Sequence, residues 1–364
     1  MITAVVGLQW GDEGKGRAVA ELINDPTAKV SCVARANGGA NAGHTVVHEG
    51  TRFKFHQIPV GAFYGIDCVL GPGMVIDPLA LAEEIDFWEG QGSASQIYIS
   101  DRAHVVLPKH KEEDARREAE RGVPLGTTLR GNGPAYADKM LRVGTRLKEF
   151  IVNPPAGMFE AADFLARRMV DTTELLLDLL DRGEEVVLEG AHGVGLDIDH
   201  GDYPYVSSSG CTTSGLLASL GIPPMFVDRV VGVFKPYTTR VGAGPLPGEG
   251  ASPELEHWLR EVGFEYGTTT GRPRKIGALD VRQVQRYAKI CGVTDLFMTK
   301  GDLVSMAKAE GHHMPVIHAN GIVGTLDDAG AFGEDVLSWV DPNLYGYVST
   351  GPEAGQGVSV GPTY

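Results

Sequence analysis

The sequence predicts an α/β fold, a large, mostly parallel β-sheet flanked by helices. Three observations predict it. Six short apolar runs each stop near a glycine or a polar or charged residue. Segments of helical periodicity lie between them, and three of the connecting loops are unusually rich in Gly with Thr and Arg or with Ser. Strands buried on both faces read as apolar runs of this kind, and ligands of such sheets sit beyond the carboxyl ends of the strands.

The first run, "ITAVVGL" (2–8), leads through a glycine-rich turn into the helical pattern "GRAVAELI" (16–23). "CVLG" (68–71) precedes a helix over "DPLALAEEIDFWEG" (77–90), and "QIYIS" (96–100) is the next strand. One long helix is expected over "FLARRMVDTTELLLDLLDRG" (164–183), ahead of the strand "EVVLEG" (185–190). "VVGVF" (230–234) is followed by a Pro/Gly-rich excursion, "GAGPLPGEGAS" (242–252). "LDVRQVQRYAKICG" (279–292) reads as a helix and "DLFMTK" (295–300) as the last strand. No repeat, low-complexity tract or linker divides residues 1–364, so one domain with extended active-site loops is expected.

Composition excludes several classes. Apolar residues make up 43% of the 364, enough for a core without disulfides. No apolar run is long enough to span a membrane, and no basic segment precedes an apolar one at the N-terminus. Cys32, Cys68, Cys211 and Cys291 are scattered, with no CxxC, which argues against a zinc site and fits a reducing cytoplasm. The net charge of −15 repels nucleic acid and anionic membranes, so any phosphate ligand requires locally gathered Arg and Lys.

The turn "GDEGKGR" (11–17) joins a strand to a helix, and its glycines let backbone N–H groups converge on an anion at the helix start. Lys15 adds a point charge. The pattern is not GxxxxGK[ST] and lacks the hydroxyl that holds Mg²⁺ there. Asp12 and Glu13 are anomalous beside phosphates unless a carboxylate binds a metal or takes a proton. "ARANGGANAGHTV" (34–46) sets Asn37, Asn41 and His44 in a loop with little bulk to bury them, which points to an active imidazole.

Eight motifs in order, "QWGDEGKG", "GGANAGHTV", "GTTLRGNGPAYADK", "LEGAHGVGLDIDHGDYPYV", "TRVGAGPLP", "GTTTGRPRKIG", "TKGD" and "VSTGP", span residues 9–352. Together they resemble the adenylosuccinate synthetase family. The resemblance implies a large parallel sheet related to P-loop proteins and a GTP-dependent ligation of L-aspartate to C6 of a 6-oxopurine nucleoside monophosphate. It implies that Asp12 takes the N1 proton, that His44 stabilises the transferring phosphoryl group, and that Asp12 and the Gly43 carbonyl hold Mg²⁺. GTP would meet Glu13, Gly14, Lys15, Gly16, Gly43 and Thr45, with Lys300, Asp302, Ser349 and Gly351 around the guanine. Asp302 can accept from guanine N1–H and N2–H₂, which adenine lacks. The acceptor nucleotide would meet Asn41, Thr128, His192, Leu196, Ser207, Val241 and Arg272, and Arg142 from a neighbouring subunit, which implies a homodimer. Thr269, Thr270, Arg272 and Arg274 would clamp the aspartate carboxylates.

Three departures bear on the acceptor. The chain is compact, like archaeal members and the phage synthetases of the diaminopurine pathway, which use dGMP and would place a phage-borne protein in the host cytoplasm. His192 stands where the family usually has Gln. Leu129 replaces a Gly beside Thr128, where it would crowd a ribose 2′-OH. Pro273 also replaces a frequent Arg between Arg272 and Arg274. Retention of Asp12 points the other way, since the dGMP enzymes often lack that acid. The balance favours dGMP narrowly, with IMP as the alternative. A regulatory GTP-binding protein is the reading from another class, and it gives the aspartate clamp no purpose.

Overall fold

The computed structural model describes residues 1–247, 251–267, 271–318, 320–321, 323–326 and 329–361. Ten strands form its main sheet, and Ile2–Gly7 lies inside it. On one side follow Val227–Phe234, Asp295–Met298, Tyr345–Ser349 and the edge strand Gly357–Val360. On the other side follow Glu185–Glu189, Val30–Arg35, Asp67–Leu70, Ile97–Ser100 and Met169–Val170. Every pairing is parallel except that of the Gly357–Val360 edge.

The apolar runs are continuous because both faces are covered. Ile2, Ala4 and Val6 pack into one core layer and Val5 into the other. The same alternation divides Val186 and Leu188 from Val187, and Leu296 and Met298 from Phe297. All these side chains are buried. At about 25 cal/mol per Å² of apolar surface, such burial is the dominant stabilising term.

All six predicted strands form. Val30–Arg35 is an additional member whose apolar stretch is short. The helix expected over 164–183 does not run through. One helix ends at Ala166, Met169–Val170 joins the sheet edge, and a second helix covers Thr172–Asp181. Asp171 causes the break: its carboxylate accepts from the N–H groups of Thr173 and Glu174 at 3.1 and 3.2 Å and caps the second helix. Ahead of it, the Arg168 carbonyl accepts from Ile99 N at 2.9 Å, pulling the chain into the ladder.

Among the described residues no helix is long and apolar enough to cross a membrane. The loops leaving Gly7, Arg35, Glu189, Phe234, Met298 and Ser349 all emerge at the carboxyl ends of parallel strands, and together they wall one cavity.

Candidate active site

The turn after the first strand is built around Glu13, whose side chain points inward and is fully buried. One carboxylate oxygen accepts from Gly11 N at 2.8 Å and Gln9 N at 3.2 Å; the other meets Lys15 Nζ at 2.6 Å. A Cβ at Gly193 would lie 2.1 Å from Glu13 Oε1, so that position has room only for glycine. Glu13, expected with the GTP set, therefore shapes the loop, and its side chain does not line the cavity. A carboxylate that accepts from backbone N–H groups and holds a lysine is compensated in the interior, which resolves one of the two sequence anomalies. Gly14 takes φ 90°, a left-handed conformation that starts the Lys15–Asn24 helix, and Gly14, Lys15 and Gly16 all face the cavity.

His44 opens a short hairpin strand and is buried, with Nδ1 against Glu189 at the end of its strand. Glu189 also accepts from Val60 N at 2.8 Å. A carboxylate can only accept, so Nδ1 carries a proton and Nε2 is the nitrogen left for a ligand. Burial pushes the His44 pKa down, opposed by the Glu189 charge and helped by Arg35. For Glu189, burial acts upward but His44 and Arg35 prevail and hold it low. Asn37 has a different role from its loop neighbours. It is buried, donates to Gly210 O at 2.9 Å and accepts from Ala191 N at 2.9 Å, so it ties distant loops together.

Asn41 is the centre of a polar chain. Its Oδ1 accepts from Asn132 Nδ2 at 2.8 Å and its Nδ2 stands 3.4 Å from His192 Nε2. The amide donates, so the imidazole accepts at Nε2 and carries its proton on Nδ1, which has no partner among the described residues. Burial, with Lys15 and Arg35 nearby, lowers the His192 pKa to about 3. Thr128, Leu196, Ser207 and Val241 line the same cavity. Leu129 does not: it occupies φ 56°, where glycine is more usual, and is exposed. The expected crowding of a 2′-OH by Leu129 therefore has no support in this arrangement. Arg142 is likewise outside the cavity wall, at the exposed end of the Asn132–Leu141 helix.

Asp12 Oδ2 pairs with Arg274 Nε at 2.7 Å, and Arg274 Nη1 reaches Glu265 at 2.5 Å. Burial opposes the Arg274 charge, but Asp12 and Glu265 more than offset it and raise its pKa. Arg272 donates to the carbonyls of Gly126 and Thr127 at 2.9 and 3.2 Å, joining its loop to that of Thr128. Thr269 and Thr270 lie outside the described residues. Lys300, Asp302, Ser349 and Gly351 line the cavity, and Ser349 Oγ donates to Gly351 O at 2.6 Å. Burial raises the Asp302 pKa, with Lys300 opposing.

The cavity has a volume of about 1320 Å³, and Asp12, His44, Lys15, Arg274 and Asp302 all contribute to its wall. Ten Lys or Arg and four Asp or Glu line it, against a chain charge of −15. The basic residues are gathered where an anionic ligand of several groups would fit.

A family model described as adenylosuccinate synthetase matches residues 4–156 and 155–309. The chain belongs to the adenylosuccinate synthetase family. An adenylosuccinate synthetase of Bacillus thuringiensis is 41% identical over 335 residues, covering 83% of this chain and 77% of the relative. That of Brevibacillus brevis is 42% identical with the same coverage. Among solved structures, the fully ligated adenylosuccinate synthetase of Plasmodium falciparum superposes with a TM-score of 0.86 at 28% identity, covering 98% of this chain and 99% of that one. The succinoaminodeoxyadenylate synthetase of cyanophage S-2L, bound to dGMP and dATP, gives 0.74 at 26% identity, covering 98% and 95%.

As a member of the adenylosuccinate synthetase family the protein is a GTP-dependent carbon–nitrogen ligase of purine biosynthesis. Sequence reading missed the carboxylates that hold this synthetase site: Glu189 behind His44, Glu118 under the 125–127 loop and Glu265 behind Arg274. Glu189 stands in the "LEGAHG" motif, where a charged residue ending an apolar strand was the available signal.

Proposed function

We propose that this synthetase phosphorylates O6 of a purine nucleoside monophosphate with GTP and then joins L-aspartate at C6. The observation that carries the reading is that Asp12 and His44 share one cavity with Lys15, Arg274 and Asp302. O6 is a poor leaving group until phosphorylated. Asp12 takes the N1 proton, O6 attacks the γ-phosphorus and GDP departs; the aspartate amine then displaces phosphate at C6. In the ligand-free protein the Asp12 carboxylate is paired with Arg274. A substrate carboxylate arriving at Arg274 competes for the guanidinium and leaves Asp12 able to meet N1. His44 keeps its Nδ1–H on Glu189, and the Glu189 charge favours uptake of a second proton from water at Nε2 as the anionic phosphates enter; the imidazolium then donates from Nε2 to the phosphoryl oxygen on which charge develops.

The family uses Mg²⁺ with GTP, and the donor set here fits it. Asp12 supplies a partly exposed carboxylate and Gly43 a carbonyl, both hard oxygen ligands at the cavity wall. Among the described residues no group of three or more His, Cys, Asp or Glu gathers to hold a metal. Asp12 and Gly43 would hold the ion together with phosphates and water, and when bound it would neutralise phosphate charge.

For the acceptor we take dGMP, on His192. Its tautomer, set by Asn41, leaves Nδ1–H as the ring's one donor, buried in the ligand-free protein, and a turn of the ring towards the cavity would bring it to O6 or N7 of a 6-oxopurine. That contact makes no demand at C2, so a 2-amino group is tolerated. IMP is the second reading, favoured by Asp12 and by the likeness to the adenylosuccinate synthetases of Bacillus thuringiensis and Brevibacillus brevis. Phosphate release with dGMP, GMP and IMP, each with GTP and L-aspartate, decides between them. Faster turnover of dGMP is expected, and equal or faster turnover of IMP removes the dGMP assignment. Release independent of aspartate fits the regulatory GTP-binding alternative instead.

A homodimer completes the acceptor site in this reading. Arg142 is exposed, no residue of its own chain pairs with its side chain among the described residues, and Met140, Leu141 and Val143 beside it are 71%, 71% and 63% exposed. Such an apolar rim around a lone cation fits an isologous contact. Mixing Arg142→Ala with Asp12→Ala protein should restore activity that neither has alone; no restoration removes the shared site.

A further inference from the structure

Glu265 takes part in none of these steps, yet among the described residues four side chains converge on its carboxylate. It is fully buried. Oε2 meets Arg274 Nη1 at 2.5 Å. Oε1 receives Lys300 Nζ at 2.8 Å, Lys235 Nζ at 3.1 Å and the Tyr237 hydroxyl at 2.5 Å. Lys235 is itself fully buried and also donates to Thr239 Oγ1 at 2.6 Å, so it is a fixed anchor. The other two cations face the cavity, and in the reading above each meets a different ligand. Lys300 precedes the guanine-reading Asp302, and Arg274 carries the chain of contacts on to Asp12.

The three cations are not equally held. Lys235 is 0% exposed, Arg274 8% and Lys300 28%, so solvent reaches the guanine-side arm most. A base lying over Lys300 removes that solvent and fixes the Lys300–Glu265 pair. The carboxylate is then set in place, and Arg274 on its other oxygen is presented to the second ligand at a smaller ordering cost. By thermodynamic reciprocity, aspartate on Arg274 must favour the guanine nucleotide by the same factor.

We infer that Glu265 is a positioning residue that couples the guanine pocket to the aspartate clamp, so that each substrate strengthens binding of the other. This rests on the reading that Lys300 meets guanine and Arg274 meets aspartate. The test is calorimetric titration of the full-length protein with GDP, with and without saturating L-aspartate. In the parent, aspartate should tighten GDP binding by about fivefold or more, within the usual range of coupling between sites. In Glu265→Gln that factor should fall to near one, and Glu265→Asp should recover part of it. A parent factor of one, or an unchanged factor in Glu265→Gln, overturns the inference.

Removing the Glu265 charge leaves Lys235 buried without its counter-ion, so a second variant spares the core. Lys300→Met cuts the cavity-side arm and the Lys300 contact with the Gly263 carbonyl, and leaves the Lys235–Glu265 pair in place. It should raise the aspartate KM several-fold at saturating GTP, although Lys300 lies on the guanine side of the cavity; an unmoved aspartate KM also overturns the coupling. The underlying reading fails separately, if Arg274→Ala leaves the aspartate KM unchanged or Lys300→Met leaves GDP affinity unchanged.

Discussion

The two ends of the cavity are held by different means. Lys15 and His44 follow strand ends, and each is backed by a fully buried carboxylate, Glu13 and Glu189. The loop carrying Thr128 is held through its backbone by side chains that also line the cavity. Glu118 accepts from the backbone N–H groups of Gly126, Leu125 and Thr127 at 2.5, 3.3 and 3.4 Å, while Arg272 holds two carbonyls of the same loop. The first arrangement fixes reacting groups before any ligand arrives, as electrostatic catalysis demands. The second grips a substrate that supplies part of its own order. Changes at the first end should therefore cost turnover, and changes at the second should cost affinity.

Asp12→Ala is expected to break the comparison most sharply. Turnover should fall by about 10⁴-fold, the upper range for a lost general base, while calorimetric GDP affinity changes little. A large loss of GDP affinity with residual turnover would place Asp12 on the gripping side. Glu189→Gln keeps the shape but cannot favour the imidazolium of His44; turnover should fall by about 10²–10³-fold with KM values nearly unchanged. Asp302→Ala tests recognition alone. Losing a charge-assisted contact to guanine should lower preference for GTP over ATP by about 10–100-fold, and unchanged donor choice refutes the guanine pocket.

These carboxylates also mark where the sequence stopped being legible. The opening turn could be read because an apolar run, glycines and a lysine lie within one stretch, and the strand ends could be read because buried strands are continuously apolar. Glu189 could not be assigned. It follows "VVL" as a polar residue ending a strand, and nothing local says that its partner lies 145 positions earlier, at His44. Asn37 has the same difficulty, with partners at Ala191 and Gly210. The false helix over 164–183 arose because both halves carry helical periodicity, and a single Asp171 cap decides the break. Site residues given by local chemistry were visible; those given by long-range pairing were not.

On the gripping side, Glu118→Gln should affect affinity without touching chemistry. The amide oxygen still accepts hydrogen bonds but loses its charge, so the 125–127 loop is held less firmly. The acceptor KM should change by about three- to tenfold with turnover constant, as expected when one charge-assisted hydrogen bond becomes a neutral one. A matching fall in turnover would show that this loop, too, is part of the preorganised machinery.

His192 gives the smallest effect and the finest test, because it lies between the two ends. Its folded pKa of about 3 is below the ordinary 6.5 of histidine. Between those values the unfolded chain binds a proton that the folded chain does not, so stability rises with pH across that window. The contribution is fully present above about 6.5 and is lost as pH falls towards 3. From pH 6.5 to 8 the ring stays neutral, and His192→Gln should leave the pH profile of turnover unchanged while shifting the ratio of dGMP to IMP turnover. Below pH 6 the variant lacks this proton linkage. Its urea midpoint should therefore fall less steeply than the parent's as pH is lowered from 7 to 5. Parallel midpoint curves would mean that the imidazole is protonated in the folded state, which would make Nε2 a donor and undo the hydrogen-bond direction on which the acceptor assignment depends.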